Sequence, residues 1–355
     1  MIALLPIGES SEVELASTRD WRAADGFVRE VSMAASKHAR DILFFDVIVD
    51  RRTSQAPWPP LSALVALWTT AHANPKFPAK EFEKGSITSI IKDVSVVPDD
   101  VATLLIEVSD KNAPNQTYLD HQAKTARHLP KTRPEGNGHS AHIVLSLKQQ
   151  KGQPNTYLAL IEAIPGVSIA KIQSTLNTAI RLLCKADDSL FTFVKAGGIK
   201  QKPKSYVPHI TLGGHPSKQF LSDLETGKVS GLKLIAPQGK QVLGQSPFLH
   251  VNNYSLDVSV SKDIPKGQRW KTLFTDITSK NADFPMARIY VQPEEGGKSF
   301  HVDVDTATGK VIGEAYIRSR RIAGITPMLE NSSADAIVTH FADLMSTILL
   351  KERTV

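Results

Sequence analysis

The sequence contains one cysteine, Cys184, and no long run of hydrophobic residues. A single cysteine excludes an internal disulfide framework and any cysteine-rich zinc site, and we expect Cys184 to be a small core residue. No apolar stretch approaches the roughly 20 residues that a membrane-spanning helix needs. The opening MIALLPIGESSEVE becomes acidic too early for a secretory signal. These absences predict a cytoplasmic protein.

Sequence motifs of common cofactor and metal sites are absent as well. There is no GxxxxGKS or GxxxxGKT loop, no GxGxxG between a strand and a helix, and no HExxH or paired Cys/His spacing. His301, Asp303 and Asp305 alternate along one predicted strand, a pattern more typical of a solvated hairpin face than of a metal site. We therefore expect no cofactor and no metal.

Hydrophobic residues (41%) and charged residues (22%) are present in the proportions of an ordinary soluble globular protein. Apolar runs predict strands at 42–49, 86–97, 101–110, 141–147, 156–164, 207–214, 231–236, 254–261, 287–292, 299–305 and 314–323. Helical spacing predicts helices at 61–72, 169–185, 217–227, 264–280 and 332–353, with Ser168 and then Ser332 or Ser333 as N-caps. The turn at 305–310 predicts that the last two strands form an antiparallel hairpin.

This order of elements favours an α+β fold with mixed or antiparallel sheets, packed helices and two or three subdomains. We expect an N-terminal α+β domain (1–150), a central α+β domain with a basic linker (151–262) and a C-terminal unit (263–355) made of a helix, a β-hairpin and a terminal helix. The long polar stretch at 110–140 is typical of a functional loop or a hairpin arm.

The stretch VPHITLGG (207–214) has the pattern of one half of a two-histidine phosphoesterase site. Such a site needs two His-x-Thr/Ser copies on neighbouring strands, because one imidazole acts as acid and the other as base. Of the 11 histidines, only His209, with Thr211, has the full pattern on a predicted strand. His142 has valine at the hydroxyl position, and a proline follows His215. We expect the protein to have no enzymatic activity. The alternative is a 2H-like phosphodiesterase or nuclease that uses His209 and Thr211, with His142 as an irregular partner.

The formal charge of +6 is concentrated in two blocks. Residues 111–151 contain 7 Lys and Arg against 2 Asp and Glu, and residues 195–275 contain 12 against 4, whereas residues 1–110 contain 11 against 16. Clustered positive charge is typical of a protein that binds phosphates. The basic residues form four clusters: Lys195, Lys200, Lys202 and Lys204; Lys262, Lys266, Arg269 and Lys271; Arg318, Arg320 and Arg321; and Lys124, Arg127, Lys131 and Arg133.

These clusters favour binding to double-stranded DNA through its phosphates, without strong sequence preference. No pattern resembles a recognition helix that reads bases. A protein-binding phage sensor or scaffold with an acidic partner would use the same surface, so the two classes stay open.

The order of elements from about residue 155 onward resembles the RexA family of phage-exclusion proteins. The likeness lies in YLALIEAIPGVSIAKIQSTLNTAI, ITLGGHPSKQFLSDLETGKVSGLKLI, YSLDVSVSKDIPKGQRWKTLFTDI and the closing hairpin and helix from Ala287 to Leu350. The DNA-binding component of the Kiwa defence system is similar. The resemblance implies a non-catalytic DNA-binding protein that forms homo-oligomers, most simply a homodimer, in anti-phage defence of the abortive-infection type. It also implies a companion defence protein, which could be membrane-bound, or a phage protein as partner.

Overall fold

The fold is known from a computed structural model, which describes residues 36–97, 100–194, 202–215, 217, 222, 228–242, 250–260, 272–273, 275–276, 284–292, 300–306, 311–312 and 317–353. It is α+β, as the sequence predicts, and every strand pairing in these residues is antiparallel. None of the helices in these ranges combines the length and hydropathy needed to cross a lipid bilayer.

The main sheet is built on a long central strand, β1. Its strands are β1 (Ala39–Asp50), β2 (Lys80–Phe82), β3 (Ile87–Val97), β4 (Val101–Asp110), β7 (Asn137–Gln149), β8 (Thr156–Glu162), β11 (His209–Gly214) and β17 (Ser319–Ala323). Their order is β11-β1-β8-β7-β4-β3-β2, and β17 continues the β11 edge along the first half of β1. Two short ribbons lie outside this sheet: β5 (Gln116–Asp120) with β6 (Thr125–Leu129), and β9 (Thr192–Phe193) with β10 (Lys204–Ser205).

Both faces of the main sheet are covered, which explains why residues 42–49 of β1 are all apolar except Asp46. Leu43, Phe45 and Val47 are buried on the face packed by helices α1 (Leu61–Ala73) and α2 (Ile169–Ala186). Ile42 and Phe44 are buried on the opposite face with helix α3 (Thr339–Arg353).

Helices α1 and α2 pack on each other through a fully buried tryptophan. The indole Nε1 of Trp68 donates a hydrogen bond to the carbonyl of Leu176 at 3.2 Å. Helix α2 begins after Ser168, whose hydroxyl accepts from the backbone N–H of Lys171 at 3.4 Å, so the predicted cap is confirmed. Cys184 is buried on this helix, and burial raises the pKa of its thiol.

Helix α3 begins seven residues later than the sequence predicts, and neither Ser332 nor Ser333 caps it. The preceding segment, 331–338, forms bends rather than a helix because side chains of the sheet accept its backbone N–H groups. Ala334 donates to Ser140 Oγ at 2.8 Å and Ile337 to Asp93 Oδ2 at 2.9 Å. These long-range bonds replace the first turns of the predicted helix.

A second group of strands continues the sheet beyond β11. It contains β12 (Lys228–Val242), β13 (His250–Val258), β14 (Met286–Gln292), β15 (Phe300–Asp305) and β16 (Val311–Ile312), in the order β13-β12-β14-β15-β16. Its small core includes Leu232, Ile289 and Val302. Gly214 of β11 pairs with Val311, which joins the two groups.

The predicted last strand, 314–323, does not complete a hairpin with β15. Strand β15 pairs with β16, whereas β17 crosses to the first half of β1. The expected boundary at residue 150 falls in the turn between β7 and β8, two neighbouring strands that share one core. The expected boundary at 262/263 lies outside the described residues, as do most of the predicted helices 217–227 and 264–280.

Candidate nucleic-acid interface

The predicted long polar stretch is a two-stranded ribbon that projects from the end of the main sheet. We call residues 111–136, between β4 and β7, the arm. Its strands β5 and β6 pair only with each other, and all ten strand residues are exposed. Neither face of the ribbon is therefore buried against the body of the protein.

The two faces of the arm differ in chemistry. Tyr118 lies opposite Arg127 on one face, and the guanidinium carbon is 5.1 Å from the ring centroid. On the other face, Thr117 Oγ1 and His128 Nδ1 are hydrogen-bonded at 2.9 Å. Leu119 on that face is 63% exposed. The arm thus offers aromatic, apolar and cationic groups to solvent.

Positive charge extends from the tip of the arm to its root. The arm contains five Lys and Arg against two Asp and Glu. Lys124, at the tip, has a left-handed backbone with φ of 54°, and Arg133 is exposed near the root. Lys131 instead donates to the carbonyl oxygens of Lys111 and Ala113 and fastens the two ends of the arm together. The predicted cluster 124–133 therefore contains three outward cations and one structural lysine.

The predicted arginine cluster at 318–321 is divided in the same way. Arg318 forms an ion pair with Glu352 at 2.5 Å and lies over the ring of Phe44, and Arg321 pairs with Asp41 at 3.1 Å. Arg320 is exposed and makes no ion pair within the described residues. Two of the three arginines are thus occupied by carboxylates of the protein itself.

The remaining two predicted clusters are described only in part. Lys204 is exposed on β10, the second strand of the short ribbon, and Lys202 is exposed two residues before it. The other members, Lys195, Lys200, Lys262, Lys266, Arg269 and Lys271, lie outside the described residues.

His142 and His209 are not brought together. His142 is on β7 and His209 on β11, and strands β8 and β1 lie between them, a separation of about 14 Å at the usual strand spacing. His142 is also only 3% exposed. The paired-histidine arrangement that the phosphodiesterase alternative requires is therefore not formed by these two residues.

His142 has a structural position in a buried polar network. Its Nδ1–H and its backbone N–H both donate to Glu162 Oε2, at 2.8 and 3.0 Å. Its Nε2 accepts the backbone N–H of Val338 at 3.0 Å, and its ring meets Phe341 edge-on. His142 thus ties β7 to the start of α3.

His209 and Thr211 project from the same face of β11, opposite Asp50 and Ile48 of β1. Burial lowers the pKa of His209, and the nearby Arg52 lowers it further, while Asp50 raises it. The lowered pKa disfavours the charged form of this imidazole.

A different histidine is oriented by a buried carboxylate, and sequence reasoning missed it. Asp46 is 0% exposed, and Nδ1 of His215 lies 3.2 Å from its Oδ1. Gln150 Nε2 donates to the same oxygen at 2.5 Å. The proline after His215 made this residue unpromising in sequence, and Asp46 is 169 positions away. The pair orients the imidazole as in many proton-transfer sites.

No group of three or more His, Cys, Asp or Glu side chains is placed to hold a metal ion within the part of the chain that the structure describes. The sequence matches no protein-family model, and no curated protein matches it either. The arm is therefore interpreted from its own geometry and charge.

Proposed function

We propose that this protein binds double-stranded DNA without strong sequence preference, and that the arm is a principal contact. The observation that carries the proposal is the exposure of all ten strand residues of a basic two-stranded ribbon. A lone ribbon is marginally stable in water. A partner that covers one of its faces would stabilise it.

Duplex DNA has the shape and the charge that fit this ribbon. The major groove admits a two-stranded β-ribbon, and phosphates along its edges would meet Lys124, Arg127 and Arg133. Exposed cations on the body, Lys202, Lys204 and Arg320, add to the phosphate contacts. Binding of this kind is driven by release of counterions and depends little on sequence.

The wider biological role is proposed from the resemblance to the RexA family alone. From it we propose a homodimer that acts in phage exclusion, and we propose a cytoplasmic location from the features that the sequence lacks. The alternative, a phosphodiesterase or nuclease that uses His209 and Thr211, lacks its second histidine because His142 is not beside His209.

The proposal is tested by titrating unrelated duplexes with the wild-type protein and with Arg127→Glu. The charge reversal should weaken binding to all duplexes to a similar extent, because it acts on phosphates. Lys76→Glu is the matched control, since Lys76 is exposed on the acidic N-terminal part of the chain. Equal affinity of wild type and Arg127→Glu would refute the arm as the contact, and absence of any DNA binding would leave a protein partner as the better explanation.

A further inference from the structure

A large cleft lies between the root of the arm and the segment that leads to α3. Its volume is about 960 Å³, which is within the range of small-molecule sites. Residues from β5, from the ends of β7 and β8 and from 328–334 form its walls, among them Thr117, Ser140, Met328 and Asn331. The buried residues Arg40, His142 and Glu162 also line it.

Arg40 has hydrogen-bond donors that the protein does not use. Its side chain is only 5% exposed, Nε donates to Glu162 Oε1 at 2.8 Å, and Nη1 donates to the carbonyl of Ala39 at 3.2 Å. Nη2 makes no hydrogen bond within the described residues. Every fully buried side-chain nitrogen or oxygen of the described residues has a hydrogen-bond partner. Because Nη2 has none, it must be accessible to solvent. Arg40 lines the cleft.

The neighbouring carboxylate holds Arg40 in place through Nε, and Nη2 and the second N–H of Nη1 stay unpaired within the described part of the chain. Glu162 Oε1 accepts from Nε, and Oε2 is occupied by the two N–H groups of His142. A planar guanidinium fixed in this way presents Nη1 and Nη2 together, and this edge matches the two oxygens of a carboxylate or phosphate.

We propose that the cleft binds a small molecule that carries a phosphate or a carboxylate, and that this oxyanion pairs with the open edge of Arg40. The polar walls supply further hydrogen bonds, and the volume admits a ligand as large as a mononucleotide. The site differs from the proposed DNA contact, because Arg40 is buried whereas Lys124, Arg127 and Arg133 of the arm are exposed. The two meet at Tyr118, which lines the cleft and lies under Arg127.

Isothermal titration of the full chain with inorganic phosphate, adenosine monophosphate, adenosine and citrate tests the proposal. At least one of the three anions should bind at millimolar concentration or below, and adenosine, which has no oxyanion, should bind far more weakly. Tighter binding of the phosphates or of citrate then identifies the ligand class. Lack of binding by all three anions, or equal binding of adenosine and its monophosphate, overturns the proposal.

Two variants locate the binding. Arg40→Gln should weaken binding about tenfold or more, the usual effect of losing a charged hydrogen bond. Because Arg40→Gln also disturbs a buried network, Asn331→Trp provides a second variant that fills the cleft from an exposed wall position. Gln55→Trp, exposed and outside the cleft, is its control and should bind normally.

The same titration distinguishes the cleft from the arm. Lys124→Glu, an exposed position at the tip of the arm and outside the cleft, should bind the small anion as the wild type does, even if its affinity for DNA falls. Anion binding that survives Asn331→Trp but disappears in Lys124→Glu would place the ligand on the arm and refute the cleft site.

Discussion

Tyr118 and Arg127 face each other across the two strands of the arm, with the guanidinium carbon 5.1 Å from the centre of the ring. An exposed contact of this type contributes about 0.5–1 kcal/mol. It also keeps the long side chain of Arg127 against one face of the ribbon. The cation is thereby ordered before any partner arrives.

Replacement of Arg127 by alanine should reduce the salt dependence of DNA binding. Each phosphate contact that is lost lowers the slope of log affinity against log salt concentration by about one. Arg127→Lys keeps the charge and should keep the slope. The slopes are obtained from DNA affinities measured at several salt concentrations. An unchanged slope for Arg127→Ala would show that this residue does not contact phosphate.

Gly136→Ala should disturb the root of the arm. A methyl group there would lie 2.8 Å from the backbone carbonyl carbon of Asp110 and still closer to Ser109 Oγ. We expect a loss of about 1–3 kcal/mol, typical of an overpacked position, with faster proteolysis in the arm. At Gly138 the nearest atom, Ser333 Cβ, is at an ordinary 3.5 Å. Gly138→Ala should therefore cost less, and equal costs in urea unfolding would contradict this account.

Glu162→Gln should destabilise the fold strongly. Glu162 is 3% exposed and joins Arg40 to His142, so its neutralisation leaves a buried guanidinium without its counter-charge. Breaking a buried pair costs about 3–5 kcal/mol. Glu330 pairs with Lys37 at the surface and is 58% exposed, and Glu330→Gln should cost about 0–1 kcal/mol. The comparison requires only the free energies of unfolding in denaturant, and a small loss for Glu162→Gln would show that the network relaxes around the change.

The free energy of unfolding should fall as the pH drops below about 6.5, partly because of His139 and His209. Burial lowers the pKa of both imidazoles in the folded protein. Above the unfolded value near 6.5 neither state is protonated, so these groups add no pH dependence. Below it the unfolded chain binds protons first, and stability is lost until the pH reaches the lowered folded pKa.

Denaturation of His209→Asn at about pH 8 and about pH 5 measures its share of this loss. The difference in unfolding free energy between the two pH values should be smaller in the variant than in the wild type. Gln55→Asn, an exposed and non-titrating change, should leave the difference as it is. A difference that is unchanged in His209→Asn would contradict the lowered pKa.

The sequence predicted most of the main sheet because the signals there are local. The strand 101–110 was predicted with the bounds that β4 has, and helix 169–185 with its Ser168 cap is short by one residue. Helix α3 was predicted too long because its first turns are replaced by bonds to side chains 194 to 244 positions away. No local pattern reports such distant partners.

For the candidate sites too, local features could be predicted from the sequence and long-range contacts could not. The basic character of the arm could be anticipated from composition, whereas the sequence left open whether this stretch is a functional loop or a hairpin arm. The partners of Arg318 and Arg321 could not, because Glu352 and Asp41 meet them only in the folded chain. Asp46 with His215 and Arg40 with Glu162 are likewise pairs between strands that lie far apart in sequence.

Strand β1 has consequences for the order in which the chain can fold as it is synthesised. One edge of β1 pairs with β8, about 115 positions later. Its other edge waits for β11 and then for β17, whose Ala323 pairs with Ala39. Strand β1 thus keeps part of this edge open until residues 319–323 have left the ribosome. Open edges of this kind are templates for aggregation, so a nascent chain stalled before residue 319 should need a chaperone more than the finished protein does.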